Sequence, residues 1–592
     1  MLKKEVKEYL EEIDCSTEVL KDYKVAGKIR EFIKPEDEKS LEDNAEIFAF
    51  NVYTDVSGST SWNLYFGPMT SFVNKQGKEV DFPSLDLLSN ETLEYWSARL
   101  NESSHPYLKA RYADLLIEFK DHYLSKIDPG IFNVAIDSHI LLSKQDGLED
   151  IFAKQELERA FQLAKIYQQK EKLSSIFELA VNLESRIAQD DKAGLWGFVL
   201  EWFLLDVNFN PPKTIVEDYI KSFEERRLRL LKSSNIGPLE HCTLALARYH
   251  KFKCELSKVE SVLHDYENCI RQFSEFNESS FGRLHYLQNL EEVYLQFDDS
   301  PALKENLRVI QNELSNFRLD PTDDEFKEIS VTQEIPKEKI NKLLKGIFDR
   351  DTLPEVILRI VLNFFQRVER EAQSFEEYNN RFVFAQITSG KVFDLENRLI
   401  ATLPPLSEAP ELHFIKHCNQ NLQICSVFLS LVLDKFREEY EDVELIKIMK
   451  SSGLHSKSDD LVIETLVSLY WRKEYFTFVH VAVPFVESSL RRLFTTSGMA
   501  TQRLNKKIGG YEYRPINKLL QDPHAELVFK QISNETGPDL LHTINMIFTE
   551  KLGLNIRNNL AHGIYQADFY SRKYSDQILL IILILSLIKI KE

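Results

Sequence analysis

The sequence predicts an all-α protein, a solenoid-like scaffold of helical hairpins followed by a C-terminal antiparallel helical bundle. Three observations predict it. Glycine and proline number only 19 each in 592 residues, so the turn residues that β architecture needs are scarce. Apolar residues recur at i, i+3, i+4 and i+7 over long stretches, the period of one buried helix face. The breaks between the paired stripes are short, as in stacked hairpins. A chain of this length exceeds one core, and four segments are expected: a mostly helical 1–145, a hairpin scaffold 146–320, a helical middle domain 340–450 and a bundle 451–592.

Residues 1–14 read as a charged amphipathic helix. The stretch Phe48–Ser89 is less regular, and the alternation Phe48-Ala49-Phe50-Asn51-Val52-Tyr53 marks a candidate strand. Helices are expected through Leu93–Leu100 and Leu108–Tyr123. From Leu148 to Phe317 the stripes come in pairs: Leu157, Ala160, Phe161, Ala164 and Tyr167, then Ile176, Ala180, Leu183 and Ile187. Similar pairs occupy Cys242–Phe273 and Leu284–Leu314, without a repeat of fixed period. The acidic stretch Asp320–Lys339 carries two prolines and reads as a linker. Helices resume at Ile340–Ala372. A break at Thr402–Pro410 precedes a long helix over His413–Tyr440, and the polar Lys450–Asp460 marks the last domain boundary.

The final segment opens with the stripe Ile463, Leu466, Val467, Tyr470, Trp471. A second stripe follows, Val479, Ala482, Val486, Leu490 and Leu493, with Pro484 expected to kink it by removing one backbone donor. A basic loop containing Gly509-Gly510 comes next. Then come a helix over Pro538–Leu552 stopped near Gly553, a short one over Ile556–Gly563, and an apolar one over Ser571–Ile590. The core of this last stretch, Ile578–Ile590, reaches only about 20 Å as a helix, short of the roughly 30 Å hydrocarbon layer. It is read as buried, not as a membrane span. An apolar helix of this kind needs cover on every side, and a second copy of the chain is one natural source.

The formal net charge of −20 excludes indiscriminate adhesion to nucleic acid by the whole molecule. Its distribution is uneven: residues 451–592 hold 17 Lys/Arg against 14 Asp/Glu, leaving −23 for residues 1–450. Within Ser488–Leu520, Arg491, Arg492, Arg503, Lys506, Lys507, Arg514 and Lys518 oppose only Glu512. This is a candidate phosphate-binding face, competing with the ordinary reading of a solvated surface. Six cysteines without a CxxC pair and an amino terminus without an apolar signal segment predict a reduced, cytoplasmic protein. No GxxxxGK[ST], GxSxG or HExxH motif supports an NTPase, serine hydrolase or zincin. His413, His417 and Cys418 set two imidazoles one turn apart, but no further ligand pair is near in sequence, and no metal or cofactor is assigned.

One segment carries chemistry: Asn555-Ile556-Arg557-Asn558-Asn559-Leu560-Ala561-His562-Gly563. On a helix, Asn558 and His562 share a face with Arg557 beside it, while Ile556, Leu560 and Ala561 hold the element inward. Arginine stays charged and matches phosphate oxygens, and histidine exchanges protons near neutral pH. A ribose 2′-hydroxyl can attack its own phosphate, so cleavage of RNA by these groups requires no metal. Spacing alone is weak evidence: Arg99-Leu-Asn-Glu-Ser-Ser-His105 also fits a pattern of Arg, four to six residues, then His, and is assigned no catalysis. A structural reading competes, in which Arg557 pairs with a carboxylate, Asn558 starts a helix and His562 ends one.

The string RNNLAHG, followed by an apolar helix, resembles the RNxxxHG signature of an uncharacterised domain family that is itself similar to the HEPN superfamily. The resemblance covers about a quarter of the chain. It implies a metal-independent endoribonuclease acting as a homodimer whose two motifs meet at a shared cleft. Many members of that superfamily are toxins or antiviral effectors. Carried onto this chain, it implies phosphate stabilisation by Arg557, proton transfer by His562 and an orienting role for Asn558. Glu487 and Arg491 resemble the acidic and basic positions such domains carry; with Arg492, Arg503, Lys506 and Lys507 they form the candidate substrate-binding set. A second likeness, Tyr95-Trp96, Arg99, His105-Pro106 and Ala110 to Leu115, is to an N-terminal region that accompanies this domain in large bacterial proteins. The expected partners are RNA, a second copy of the chain, and a protein partner or trigger on the helical scaffold. Two other readings stay open: a non-catalytic scaffold whose bundle serves dimerisation or nucleotide or protein binding, and a partner or target of a nucleotidyltransferase.

Overall fold

The apolar period of the sequence becomes helix nearly throughout the computed structural model. It describes all residues except 36, 74–78, 121–127, 320–333, 350–351, 382–385, 395, 565–569 and 590–592. The described residues form 26 α-helices and four two-stranded antiparallel hairpins, and the protein is all-α. They gather into two compact units, Met1–Leu314 and Ser315–Glu592, where the sequence suggested four segments.

In the first unit the paired stripes become paired helices. Asp150–Ile166 buries Leu157, Ala160, Phe161 and Ala164, and Lys170–Ile187 buries Ile176, Ala180, Leu183 and Ile187 against it. The turn between them needs only three residues because Gln168 takes a left-handed φ of +54°. Lys213–Ser233, Ile236–Phe252 and Leu256–Gln272 pack in succession further along. No boundary falls at residue 145, because helix Gly130–Ser143 packs on both Pro106–Phe119 and Asp150–Ile166. The alternation at Phe48–Tyr53 was misleading for half its length. Residues 48–50 finish helix Leu41–Phe50, whose Ser40/Asp43 capping box sets its start, and all three are buried. Only Val52–Thr54 is a strand, paired with Phe66–Pro68. A helix buried on several sides shows no clean period of 3.6, and a short run of it imitates a strand.

In the second unit a single hydrophobic core runs from Ile347 to Ile588. The expected boundary at Lys450–Asp460 therefore does not separate two cores. Its cause is the last helix, Arg572–Ser586, in which every residue from Ser575 to Ser586 is buried. Its cover comes from Leu353–Phe364, Pro410–Glu439 and Asp442–Lys450 as well as from Tyr475–Thr496 and Gly537–Phe548. The cover that the sequence assigned to a second copy is thus supplied within the unit. No helix among the described residues is long and apolar enough to cross a membrane. Inside this apolar helix sits one carboxylate, Asp576, which accepts hydrogen bonds from Tyr470 (2.6 Å) and from Ser430.

Pro484 lies inside helix Tyr475–Thr496, which runs on through it. Two local expectations change. The basic loop is a β-hairpin, Gln502–Asn505 paired with Gly510–Tyr513, whose turn uses Gly509 at φ +67°. A second hairpin, Gly390–Phe393 with Leu399–Leu403, leads into the break at Thr402–Pro410, and helix Pro410–Glu439 follows it. Most of the expected linker, residues 320–333, lies outside the described residues; helix Lys337–Phe348 begins within its last turn.

Candidate functional site

The RNxxxHG segment forms a six-residue helix, Ile556–Ala561, set on the bundle by its ends. Before it, Gly553 lies against helix Gly537–Phe548 so closely that a Cβ would meet the Met546 carbonyl oxygen at 2.2 Å. The Leu554 N–H then donates to that same carbonyl at 2.8 Å. Asn555 turns the chain with φ +50°, and its Oδ1 accepts from Asn558 Nδ2 at 2.8 Å. After the helix, Gly563 takes φ +62°, its N–H donates to Leu560 (3.2 Å) and the Ile564 N–H to Asn559 (3.0 Å). These two bonds close a Schellman motif, which explains glycine after histidine: a left-handed residue must follow the helix cap. Ile556 is buried and anchors the inner face.

The motif side chains divide across this helix. Arg557 Nε donates to Glu487 Oε2 at 3.0 Å and its Nη1 to Asn558 Oδ1 at 3.2 Å. Glu487, on helix Tyr475–Thr496, also takes Arg491 through Nη2 at 2.6 Å, so one carboxylate is shared by two guanidinium groups. Arg491 in turn donates to the Arg514 carbonyl (2.8 Å) and lies 5.2 Å from the Tyr513 ring centroid. Arg557, Glu487, Arg491 and Arg492 all line one groove of about 1210 Å³, together with His455, Tyr511 and Tyr513. His562 lines a second depression of about 510 Å³ on the other side of the helix, with Asn558, Asn559, Lys518 and Lys551. Within one chain the structure therefore brings Arg557 to Glu487 and Asn558 to the depression of His562, but it does not bring Arg557 and His562 into the same one. The helical geometry is the reason: five residues turn about 140° around the axis. Asn558 also donates to the Thr549 carbonyl at 3.4 Å. His562 is exposed, and its ring makes no hydrogen bond among the described residues.

Much of the basic run is compensated from elsewhere in the fold. Arg492 pairs with Asp459 through both Nη atoms, and this contact holds the Asp459 carboxyl down to about 2. Arg514 does the same to Asp522. Arg503 pairs across the hairpin with Glu512 at 2.7 Å. Lys506, Lys507 and Lys518 remain exposed cations without an ion pair among the described residues. The sequence carries no sign of Asp459 as a partner of Arg492, 33 residues away, and offers Glu487 only as the companion of Arg491, not of Arg557, 70 residues further on. It also gave no sign of Tyr511 and Tyr513, 74% and 65% exposed at the groove edge, or of His455. The His455 Nδ1–H donates to the Met449 carbonyl at 2.8 Å, burial pushes its pKa down, and its Nε2 is closed to solvent.

The other histidine candidates are engaged singly. His413 Nε2 bonds the Pro404 carbonyl at 2.8 Å, and His417 Nε2 meets Ser374 at 3.1 Å. Among the described residues no group of three His, Cys, Asp or Glu side chains is arranged to hold a metal ion. No protein-family model, curated protein or solved structure matches this chain.

Proposed function

We propose that the second unit is a metal-independent endoribonuclease, with Arg557 as the phosphate anchor and His562 as the proton-transfer group. The chain then works as a homodimer on RNA in the cytoplasm, as a toxin or antiviral effector, with the first unit as the sensing or regulatory scaffold. The observation that carries this reading is the division of labour within the motif. Asn555, Asn558 and Gly563 have structural work in starting and ending the helix, whereas the exposed His562 imidazole has none. Three arginines and two exposed tyrosines border the adjoining groove, a composition suited to phosphates and unstacked bases.

The chemistry is direct. A base removes the proton of a ribose 2′-hydroxyl, whose oxygen attacks the neighbouring phosphorus. The P–O5′ bond breaks, the leaving oxygen takes a proton, and a 2′,3′-cyclic phosphate remains. Arg557 would hold the phosphate oxygens as charge builds on them. Because His562 lies across the helix from Arg557, a dimer that places His562 of one protomer beside Arg557 of its partner unites both groups on one linkage.

Purified chain incubated with mixed RNAs in EDTA tests this. His562→Ala and Arg557→Ala should each lower cleavage by about 100-fold or more. A mixture of the two inactive variants should regain part of the activity, because a heterodimer contains one intact pair. Cleavage unchanged in both variants, or no cleavage by the wild type, overturns the reading. A second reading, a non-catalytic bundle, is favoured by the Arg557–Glu487 and Asn558–Asn555 contacts. It predicts that Arg557→Ala lowers stability while His562→Ala changes nothing.

A further inference from the structure

The first unit contains a cavity of about 770 Å³ that the nuclease reading does not use. It lies between the loop entering helix Asp22–Phe32, strand Val52–Thr54, and helices Pro106–Phe119 and Asp150–Ile166. Its volume is that of a site for a small organic molecule.

The charges on its wall do not cancel. Lys21 pairs with Glu149 at 2.7 Å and Arg111 with Asp22. Asp114 and Glu156 are compensated from behind by His139 and Arg159. Asp55 and Glu158 remain. The Asp55 Oδ1 accepts only from Ser57, and Glu158 makes no hydrogen bond or ion pair among the described residues. Lys154, one helical turn before Glu158, attracts it through space but donates its hydrogen bond to the Gly194 carbonyl at 3.1 Å. Two half-buried carboxylates thus face the cavity without an ion pair among the described residues, and the exposed rings of Tyr23 and Tyr53 stand at its edge.

A second, independent observation comes from Arg111, which lines the same cavity and is only 7% exposed. Its Nη2 is committed to Asp22, which also accepts from Tyr107 at 2.8 Å. Its Nη1 is buried without a hydrogen-bond partner among the described residues, an arrangement that costs free energy until an acceptor arrives. The guanidinium is held in place by the rings of Phe50, Phe66 and Tyr107, all within 6.0 Å.

We infer that this cavity is a binding site for an organic cation, an ammonium or guanidinium group that also carries an oxygen acceptor. The cation sits on Asp55 and Glu158 with tyrosine rings beside it, and its carbonyl or hydroxyl oxygen satisfies Arg111 Nη1. The same chemistry is offered by a free small molecule and by a lysine or arginine side chain of a protein partner.

Calorimetric titration of the full 592-residue chain with argininamide, agmatine and glutamate separates the possibilities. The expected result is saturable one-to-one binding of argininamide, weaker binding of agmatine, which lacks the carbonyl, and none of glutamate. Glu158→Gln should weaken argininamide at least tenfold, and Arg111→Lys should remove the preference for argininamide over agmatine. A capped Gly-Arg-Gly peptide that binds more tightly than argininamide assigns the site to a protein side chain; a peptide that binds more weakly assigns it to a small molecule. Unsaturable binding of both cations, equal affinity in Glu158→Gln, or preference for glutamate overturns the proposal. Glu158 makes no contact whose loss would unfold the unit, so an unchanged melting temperature accompanies the valid result.

Discussion

His139 offers a quantitative test of the first unit. It is 4% exposed in helix Gly130–Ser143, with Asp114 2.8 Å from Nε2 and Glu156 2.6 Å from Nδ1. Both ring nitrogens therefore donate, and the imidazole is a cation. Burial alone would lower its pKa, but the attraction and hydrogen bonds of the two carboxylates outweigh burial and raise it from 6.5 to about 9. At about 1.4 kcal/mol per pH unit, that shift corresponds to about 3 kcal/mol of folding free energy. Because the folded-state value is the higher one, this contribution is complete below pH 6.5 and is lost as pH climbs through about 9. Asp114 behaves oppositely. Burial raises its pKa, but Arg159 and His139 prevail and hold it at about 2, so its share is present above pH 3.8 and is lost as pH falls. Thermal or urea unfolding of the first-unit transition, followed from pH 6 to 9.5, reads the effect. Wild type should lose about 3 kcal/mol across this range, whereas His139→Gln should start lower and show a nearly flat profile. Parallel profiles for the two proteins would refute the ion-pair account of this histidine.

Other perturbations probe the second unit. Glu487→Gln removes the carboxylate shared by Arg557 and Arg491, lowering stability by roughly 1–2 kcal/mol. The same change should tighten RNA binding and steepen its salt dependence, as measured by filter binding across a salt series. Gly553→Ala places a methyl group on the Met546 carbonyl, with an expected cost of about 3 kcal/mol or more and a fall in the melting temperature of this unit. Gly563→Ala meets no neighbour within 4 Å but keeps a φ of +62°; a loss of about 1 kcal/mol, seen by urea denaturation, is expected. A structural motif alone predicts these last two effects equally, so they test the geometry of the helix and leave catalysis to the His562 variant.

The helices were legible because their cause is local. A stripe such as Leu157, Ala160, Phe161 and Ala164 announces both the element and its buried face. The motif helix was legible for the same reason, with Gly553 and Gly563 marking a close approach and a cap. What escaped is what depends on distant residues. Whether Lys450–Asp460 divides two domains depends on which helices cover residues 575–586, and nothing near residue 450 records that. The basic run looked unpaired because Asp459 and Asp522 belong to other elements. The hairpin Gln502–Tyr513 was missed because its side chains are mostly exposed and leave no apolar alternation to read. Helix geometry puts Asn558 and His562 on one face, as expected, but turns Arg557 far enough from it that the arginine and the histidine line separate depressions.

The burial of the helix Arg572–Ser586 has a consequence for biosynthesis. Arg557 and His562 are joined to the chain before the segment that completes the core around their helix. Nascent chains paused or truncated before residue 586 lack the innermost element of the unit, so the motif has no finished support to stand on. Any activity that depends on this geometry is therefore withheld during elongation, and fragments from interrupted translation should be inert and readily degraded.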